Sequence, residues 1–327
     1  MFECTKVNIN EDPDWTRFLK TNYNLFFDPK FLVYNDLFSK RIKWHHLKFR
    51  EEKTKKIAAL LTGCERTDVN GKTFISCNGA SFGGFTWSDK LDLIDYNEII
   101  RTFRKYIKAQ GFNRIILRNQ PFIYQKNPDE EYEYALLHEG FSITKNSITN
   151  IVDLTNFEFE KLSNPKKRSI KKSDTNIEVK ILDKELDEEN FKEYYSVLLE
   201  NRQLKNVTPT HSIKELIYLK NNLPDKIFLF YAEIEGVIAG ICILFKVKED
   251  VILNFYMATH EEYKRARVSD LILFKSIEWA KKNGYRVYDV GTSNIGYKFL
   301  EGLFSFKKKF MASGFLRKTY ELYISGK

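Results

Sequence analysis

Asp289 and Lys307 are the residues whose types and settings point most directly to chemistry. Asp289 closes the strand-like run YRVYDVG, where a carboxylate can take a proton from an amine or simply cap the next turn. Lys307 lies in FSFKKKF, where Phe306 and Phe310 are spaced i, i+4 and bury one helix face beside it. A lysine there can hold a substrate carboxylate or phosphate, or balance an oxyanion. It can equally be one of three lysines on a wet face near a helix C-terminus. Arg265 and Arg267 precede the helix SDLILFKSIEWAKKNG, whose first N–H groups and dipole attract anions. They read either as phosphate contacts or as a solvated loop. Asp270, in the first turn, would repel phosphate and is more simply a helix-dipole residue.

Other candidates are weaker. His260 follows VILNFYMATH and is a base or a satisfied surface histidine. His45 and His46 point to opposite strand faces, so they cannot form one metal site, and no metal is expected. Lys166, Lys167, Arg168, Lys171 and Lys172 fall on one helix led by Pro165. That helix is a solvated face, or a grip on an acidic acceptor or RNA phosphates. It lacks the interleaved aromatics that stack single-stranded bases.

The elements that must position these residues run from Lys226 to Lys309. KIFLFYAEIEG and VIAGICILFKV form a hairpin turning at Glu235-Gly236, and Val251–His260 is a third strand. In the next helix Ser269 is the expected cap, Leu273, Ile277 and Ala280 share a face, and Asn283-Gly284 closes it. Upstream, strands are expected over 42–49, 56–63, 73–77 and 113–119, and helices over 14–20, 29–38, 96–110 and 129–139. Helices are expected again over 188–202 and 211–221. Each half thus has a hairpin, a third strand, a helix stopped by a Gly-aromatic pair (Gly111-Phe112; Gly284-Tyr285), a strand, a helix and a terminal strand. That order implies an internal duplication.

A chain of 327 residues with 43% hydrophobic and 15% aromatic content can fill about two cores and is not a disordered sequence. Cys4, Cys64, Cys77 and Cys242 share no paired spacing, and Cys77 and Cys242 lie in strand-like runs, so buried thiols in a reducing compartment are expected. The N-terminus lacks a secretion signal's layout, and the longest apolar run, Val237 to Phe245, is far short of the ~20 residues of a membrane span. A cytoplasmic location follows as an expectation. A net charge of +9 favours anionic partners.

Two runs, VDLTNFEFEKLSNPKKRSIKKS and DVGTSNIGYKFLEGLFSFKKKF, resemble signatures of the Fem-type branch of the GCN5-related N-acyltransferases (GNAT). The first is similar to that family's strand-end Asp-Leu followed by an Arg/Lys-rich helix. The second is similar to its Asp-x-Gly and Gly-Leu-x-x-Phe-Lys-x-x-Phe, here Gly302, Leu303, Phe306, Lys307 and Phe310. The resemblance implies an α/β (mixed α+β) fold of two tandem GNAT-like domains, 1–155 and 156–327. Each would be a mixed, mostly antiparallel sheet flanked by helices.

The resemblance also implies roles. A thioester's pantetheine arm pairs with main-chain amides of the third strand, which assigns Tyr256, Met257 and Ala258. The pyrophosphate sits at the helix start, which assigns Arg265, Arg267, Val268 and Ser269. Asp289 and Lys307 become catalytic, and Tyr297 falls where many members keep a phenol for the leaving thiolate; a core or groove tyrosine is the alternative. The superfamily's loop is Arg/Gln-x-x-Gly-x-Gly/Ala, whereas Arg265 to Asp270 contains no glycine. The implied activity is N-acyl transfer from acyl-CoA, a co-substrate, to an amine on a sugar nucleotide or cell-envelope precursor. The second domain would hold the donor and the interdomain cleft the acceptor. The first, whose helix start at Leu91–Asn97 is acidic, would be degenerate for donor binding. Two alternatives are an aminoacyl-tRNA-dependent peptidoglycan aminoacyltransferase, although a helical-hairpin insertion for tRNA is not evident, and a non-catalytic binding module that keeps the fold. A nucleic-acid-binding protein is a third reading, with an affinity that falls steeply as salt rises.

Overall fold

The structure, a computed structural model, describes residues 1–38, 42–69, 71–76 and 78–324. Cys77, read above as a strand-borne thiol, lies outside them. The chain opens β1 (Phe2–Lys6), α1 (Pro13–Leu19), α2 (Pro29–Phe38), β2 (Trp44–Glu51), β3 (Ile57–Asp68), β4 (Gly71–Ile75) and β5 (Phe85–Trp87). It continues α3 (Leu93–Ala109), β6 (Arg114–Arg118), α4 (Glu131–His138), β7 (Ser142–Asp153), α5 (Asn164–Ser173) and β8 (Glu178–Ile181). Next come α6 (Glu188–Gln203), α7 (Ile213–Asn222), β9 (Ile227–Ile234), β10 (Val237–Lys248), β11 (Val251–Thr259) and α8 (Val268–Lys282). It ends β12 (Val287–Thr292), β13 (Asn294–Ile295), β14 (Lys298–Phe299), α9 (Glu301–Lys308) and β15 (Ser313–Tyr323).

Two compact units divide the described chain, 1–147 with 316–327, and 148–315. The sequence suggests a single cut near residue 155. The units differ from it because β15 hydrogen-bonds to β6, from Thr319↔Arg118 to Tyr323↔Arg114, while β7 pairs with β12 from Asp153↔Val287 to Thr149↔Thr292.

The first unit orders its strands β1-β2-β3-β4-β6-β15, with β5 on β3; the second orders them β7-β12-β11-β10-β9-β8. Each contains one parallel pair, β4 with β6 and β11 with β12, among antiparallel neighbours. The fold is therefore the expected mixed, mostly antiparallel arrangement, repeated.

Local chemistry explains the shared parts. Glu235 (φ 50°) and Gly236 (φ 82°) are both left-handed, as a two-residue hairpin turn requires. Gly111 (φ 72°) and Gly284 (φ 78°) stop α3 and α8 in the same way, with Phe112 N–H donating to Ile107 and Tyr285 N–H to Ala280. Leu273, Ile277 and Ala280 are buried in the second unit's core with Ile252 and Tyr288. Phe103, Ile107 and Phe112 serve the first unit's core similarly.

Some readings need correction. Ser269 does not cap α8: the helix starts at Val268, and Arg267 takes the cap position without a side-chain cap bond. His211 stays outside α7, which begins at Ile213 behind a reciprocal Ser212–Glu215 cap. Strands β1, β5 and β8 and the β13–β14 hairpin were not foreseen, since each is too short or too polar to show an alternating pattern.

His45 and His46 do part to opposite faces, one ring nitrogen 2.7 Å from the Tyr106 hydroxyl and the other 2.7 Å from that of Thr62. Burial lowers both, to about 4 and about 3, so both rings are neutral at pH 7.

Candidate active site

In the second unit, β12 pairs with β11 only from Val251↔Val287 to Leu253↔Asp289. From Asn254 to Thr259 no strand of the described residues pairs with that edge of β11, while its other edge remains hydrogen-bonded to β10. The parting coincides with a register shift: Ile243 faces Tyr256 but Leu244 faces Asn254, so Phe255 is an extra residue. Such a bulge bends a strand and sharpens its twist. Alternate amides between Tyr256 and Ala258 point to the open edge, because an antiparallel strand directs its N–H groups to its two sides in turn.

Where β12 leaves β11, a turn is held from two directions. Asp289 is fully buried, and one of its oxygens accepts from the Thr149 hydroxyl at 2.5 Å and the Gly291 N–H at 2.6 Å. Lys307 is only 3% exposed and donates to the carbonyls of Gly291 (2.8 Å) and Thr292 (2.7 Å). The lysine is thus not on a wet face, although its neighbours Lys308 and Lys309 are. Gly291 has φ 85°, and a Cβ there would lie 3.4 Å from the Asn254 carbonyl oxygen and 3.9 Å from Lys307 Nζ. The ammonium therefore sits within one side chain's reach of the point where the strands separate.

At the start of α8, Asp270 is turned inward. It accepts from Lys166 Nζ at 2.6 Å and from the Ser169 hydroxyl at 2.7 Å, and both it and Lys166 are buried. The expected repulsion of phosphate is thereby offset. Lys166, grouped above with a solvated cluster, instead lies 4.5 Å from the centre of the Phe310 ring. Arg168, Lys171 and Lys172 stay exposed. Arg267 has φ 62°, the left-handed conformation that glycine adopts without strain, and its guanidinium donates to Ser169 at 3.0 Å. The tight turn that a glycine loop provides is formed here by an arginine. Arg267 and the first amides of α8 meet at that turn, with Ser169 and Ser173 of α5 behind it, and Arg265 is exposed two residues upstream.

Residues 166–299 match the family description "Acetyltransferase (GNAT) domain". They form a GNAT domain. The match ends before α9, so Lys307 lies beyond it. No curated protein matches the chain by sequence. Among solved structures, FemX superposes with a TM-score of 0.70 at 11% identity, covering 98% of this chain and 97% of its own. L-PGS from Bacillus licheniformis gives 0.64 at 14% identity, over 97% and 93%. A tandem GNAT protein from the clavulanic acid biosynthesis pathway gives 0.59 at 8% identity, over 100% of both. The whole chain therefore has the tandem GNAT fold.

Within the second unit, Asp289 and Lys307 meet at one turn, and Tyr256 to Ala258 lie on the strand that parts beside it. Val268 and Ser269 open α8, with the Ser269 hydroxyl 3.4 Å from that of Thr259. Tyr297 is 83% exposed at the tip of the β13–β14 hairpin. His260 is paired through Nδ1 with the Glu200 carboxylate. The Tyr256 hydroxyl accepts from the His211 N–H at 3.0 Å and lies 2.8 Å from His211 Nδ1, and burial pushes it up to about 12.

Sequence reasoning missed Thr149, Asn254 and Tyr288. Thr149 is one polar residue in SITNIVDL, distant in sequence from Asp289. Asn254 donates to the buried Tyr288 hydroxyl at 3.3 Å, and a lone asparagine within a strand gives no warning of that contact.

The first unit's corresponding sites are occupied by its own chain. Gly83 bridges to Asn119 beyond the β4–β6 pair. The Asp92 carboxylate accepts from the Ile94 and Asp95 amides at the start of α3, leaving less there for an anion.

Arg267→Gly tests the α8 turn. Relief of the left-handed strain, about 1–2 kcal/mol for a residue with a Cβ, opposes loss of the Ser169 bond. Urea denaturation should show stability unchanged or slightly raised.

Proposed function

We propose that the chain is an N-acyltransferase that takes an acyl group from acyl-CoA and places it on an amine. The observation that carries this reading is the open edge of β11 running toward the turn before α8. A pantetheine arm is an extended diamide, and it can add to that edge as a further strand does. The pyrophosphate would then reach Arg265, Arg267 and the amides of Val268 and Ser269, where the helix dipole favours anions.

The chemistry needs few groups. The acceptor amine attacks the thioester carbonyl, a C–N bond forms, and the tetrahedral oxyanion collapses with cleavage of the C–S bond. The thiolate leaves, and the amine proton passes to solvent or to the thiolate. Lys307, buried beside the strand parting, is assigned to offset the oxyanion. Asp289 is assigned to position the Gly291 turn on which that lysine rests, and Tyr297 is given no proton to transfer. A sugar nucleotide or other envelope precursor suits the acceptor, since the net charge of +9 favours an anionic one.

A second donor, aminoacyl-tRNA, is favoured by one feature. Helix α5 packs on the phosphate end of the groove through Ser173 to the Ala266 carbonyl (3.0 Å), with Arg168, Lys171 and Lys172 exposed. Thermal unfolding with acetyl-CoA and, separately, with charged tRNA distinguishes the two. A ligand at about 100 times its Kd adds roughly 2.7 kcal/mol of stability. Stabilisation by acetyl-CoA is expected; stabilisation by tRNA alone would transfer the donor role, and neither would leave a binding module.

A further inference from the structure

We infer that the β13–β14 hairpin and the helix after it form a docking element for an anionic lipid surface. Within nine residues, Ile295 (55%), Tyr297 (83%), Phe299 (47%) and Leu303 (36%) are exposed apolar or aromatic side chains. The hairpin carries the first three, its two strands of two residues each paired Asn294↔Phe299 and Ile295↔Lys298, and Leu303 follows in α9. No core residue of the unit comes from the hairpin itself.

The surroundings select the occupant. Lys298 is exposed on the hairpin, and Lys308 and Lys309 are exposed at the end of α9; Glu301 is the one acidic residue between 294 and 309. An aromatic tip flanked by lysines suits a membrane–water interface, where amphipathic rings sit at headgroup level and basic residues meet acidic lipid. The four side chains expose on the order of 500 Å², taking ~150–250 Å² for each when fully open. That falls below the ~800 Å² per partner of an ordinary protein interface. A bilayer requires no such area, because its headgroups close around an inserted tip. The inference is independent of the acyl donor, and its test uses none.

Co-sedimentation of the full chain with vesicles is the measurement, using phosphatidylcholine alone or equal parts phosphatidylcholine and phosphatidylglycerol. Binding to the mixed vesicles and little to the neutral ones is expected. The double variant Ile295→Ser, Phe299→Ser should partition about tenfold less, from the lost apolar insertion. Lys298→Glu with Lys308→Glu should lose at least as much, and only on mixed vesicles. Unchanged melting curves separate lost docking from lost folding, and Ile295, Lys298 and Lys308 are exposed, while Phe299 touches the Phe304 ring. Absence of wild-type partitioning would overturn the inference. So would variants that partition like wild type, or a self-association that vanishes in the variants while vesicle binding persists.

Discussion

Lys307→Met is expected to lower acyl transfer roughly a hundred- to a thousand-fold, the usual effect of removing one group that stabilises an oxyanion. Methionine keeps most of the stem and removes the charge. In wild type the ammonium is held by two carbonyls, Gly291 and Thr292, beside the end of the β11–β12 pairing. Removing it leaves those carbonyls buried with fewer donors, at about 1–3 kcal/mol. The loss should therefore appear mainly in kcat, with acetyl-CoA affinity nearly unchanged, because the phosphate contacts proposed for Arg265, Arg267 and the start of α8 lie at the other end of the open edge of β11. Steady-state kinetics and coenzyme A titration separate the two. A loss confined to KM would reassign Lys307 to substrate binding.

Asp289→Ala is expected to destabilise the second unit by about 1–3 kcal/mol for each of the two buried donors, the Thr149 hydroxyl and the Gly291 amide, that it leaves without an acceptor. The carboxylate is fully buried and accepts from Thr149 and from the Gly291 amide. Because Lys307 holds the same turn through its carbonyls, the two substitutions should not be additive, as is usual for residues sharing one network. Urea denaturation of both single variants and the double variant measures the coupling. A cost below about 1 kcal/mol for Asp289→Ala would show that the turn stands without it.

These two residues also show what the sequence carries and what it hides. Asp289 and Lys307 were legible as candidates because the strand-end Asp-x-Gly and the Phe-Lys-x-x-Phe spacing stand out. The burial of Lys307 was not, since FSFKKKF offers three adjacent lysines and only the three-dimensional path of β12 selects one. Lys166 was hidden in the same way: its partner Asp270 is distant in sequence, and a basic helix looks solvated until something packs against it. The hairpin turn at Glu235-Gly236 and the paired stops at Gly111 and Gly284 were legible because left-handed backbone restricts residue choice. Arg267 shows the limit of that rule, since it holds a left-handed turn without glycine and so conceals a loop that a motif search would seek. The return of β15 to the first unit depends on long-range strand pairing that no local pattern encodes.

The central claim is that a thioester's amide arm lies along the open edge of β11. Hydrogen exchange at the main-chain amides of Tyr256, Met257 and Ala258, with and without saturating coenzyme A, tests it directly. At least one of these amides should exchange about tenfold more slowly when the ligand is bound, since it gains a hydrogen-bond partner. Coenzyme A binding that leaves all three amides unchanged, or protects only residues outside β11 and the start of α8, would contradict it.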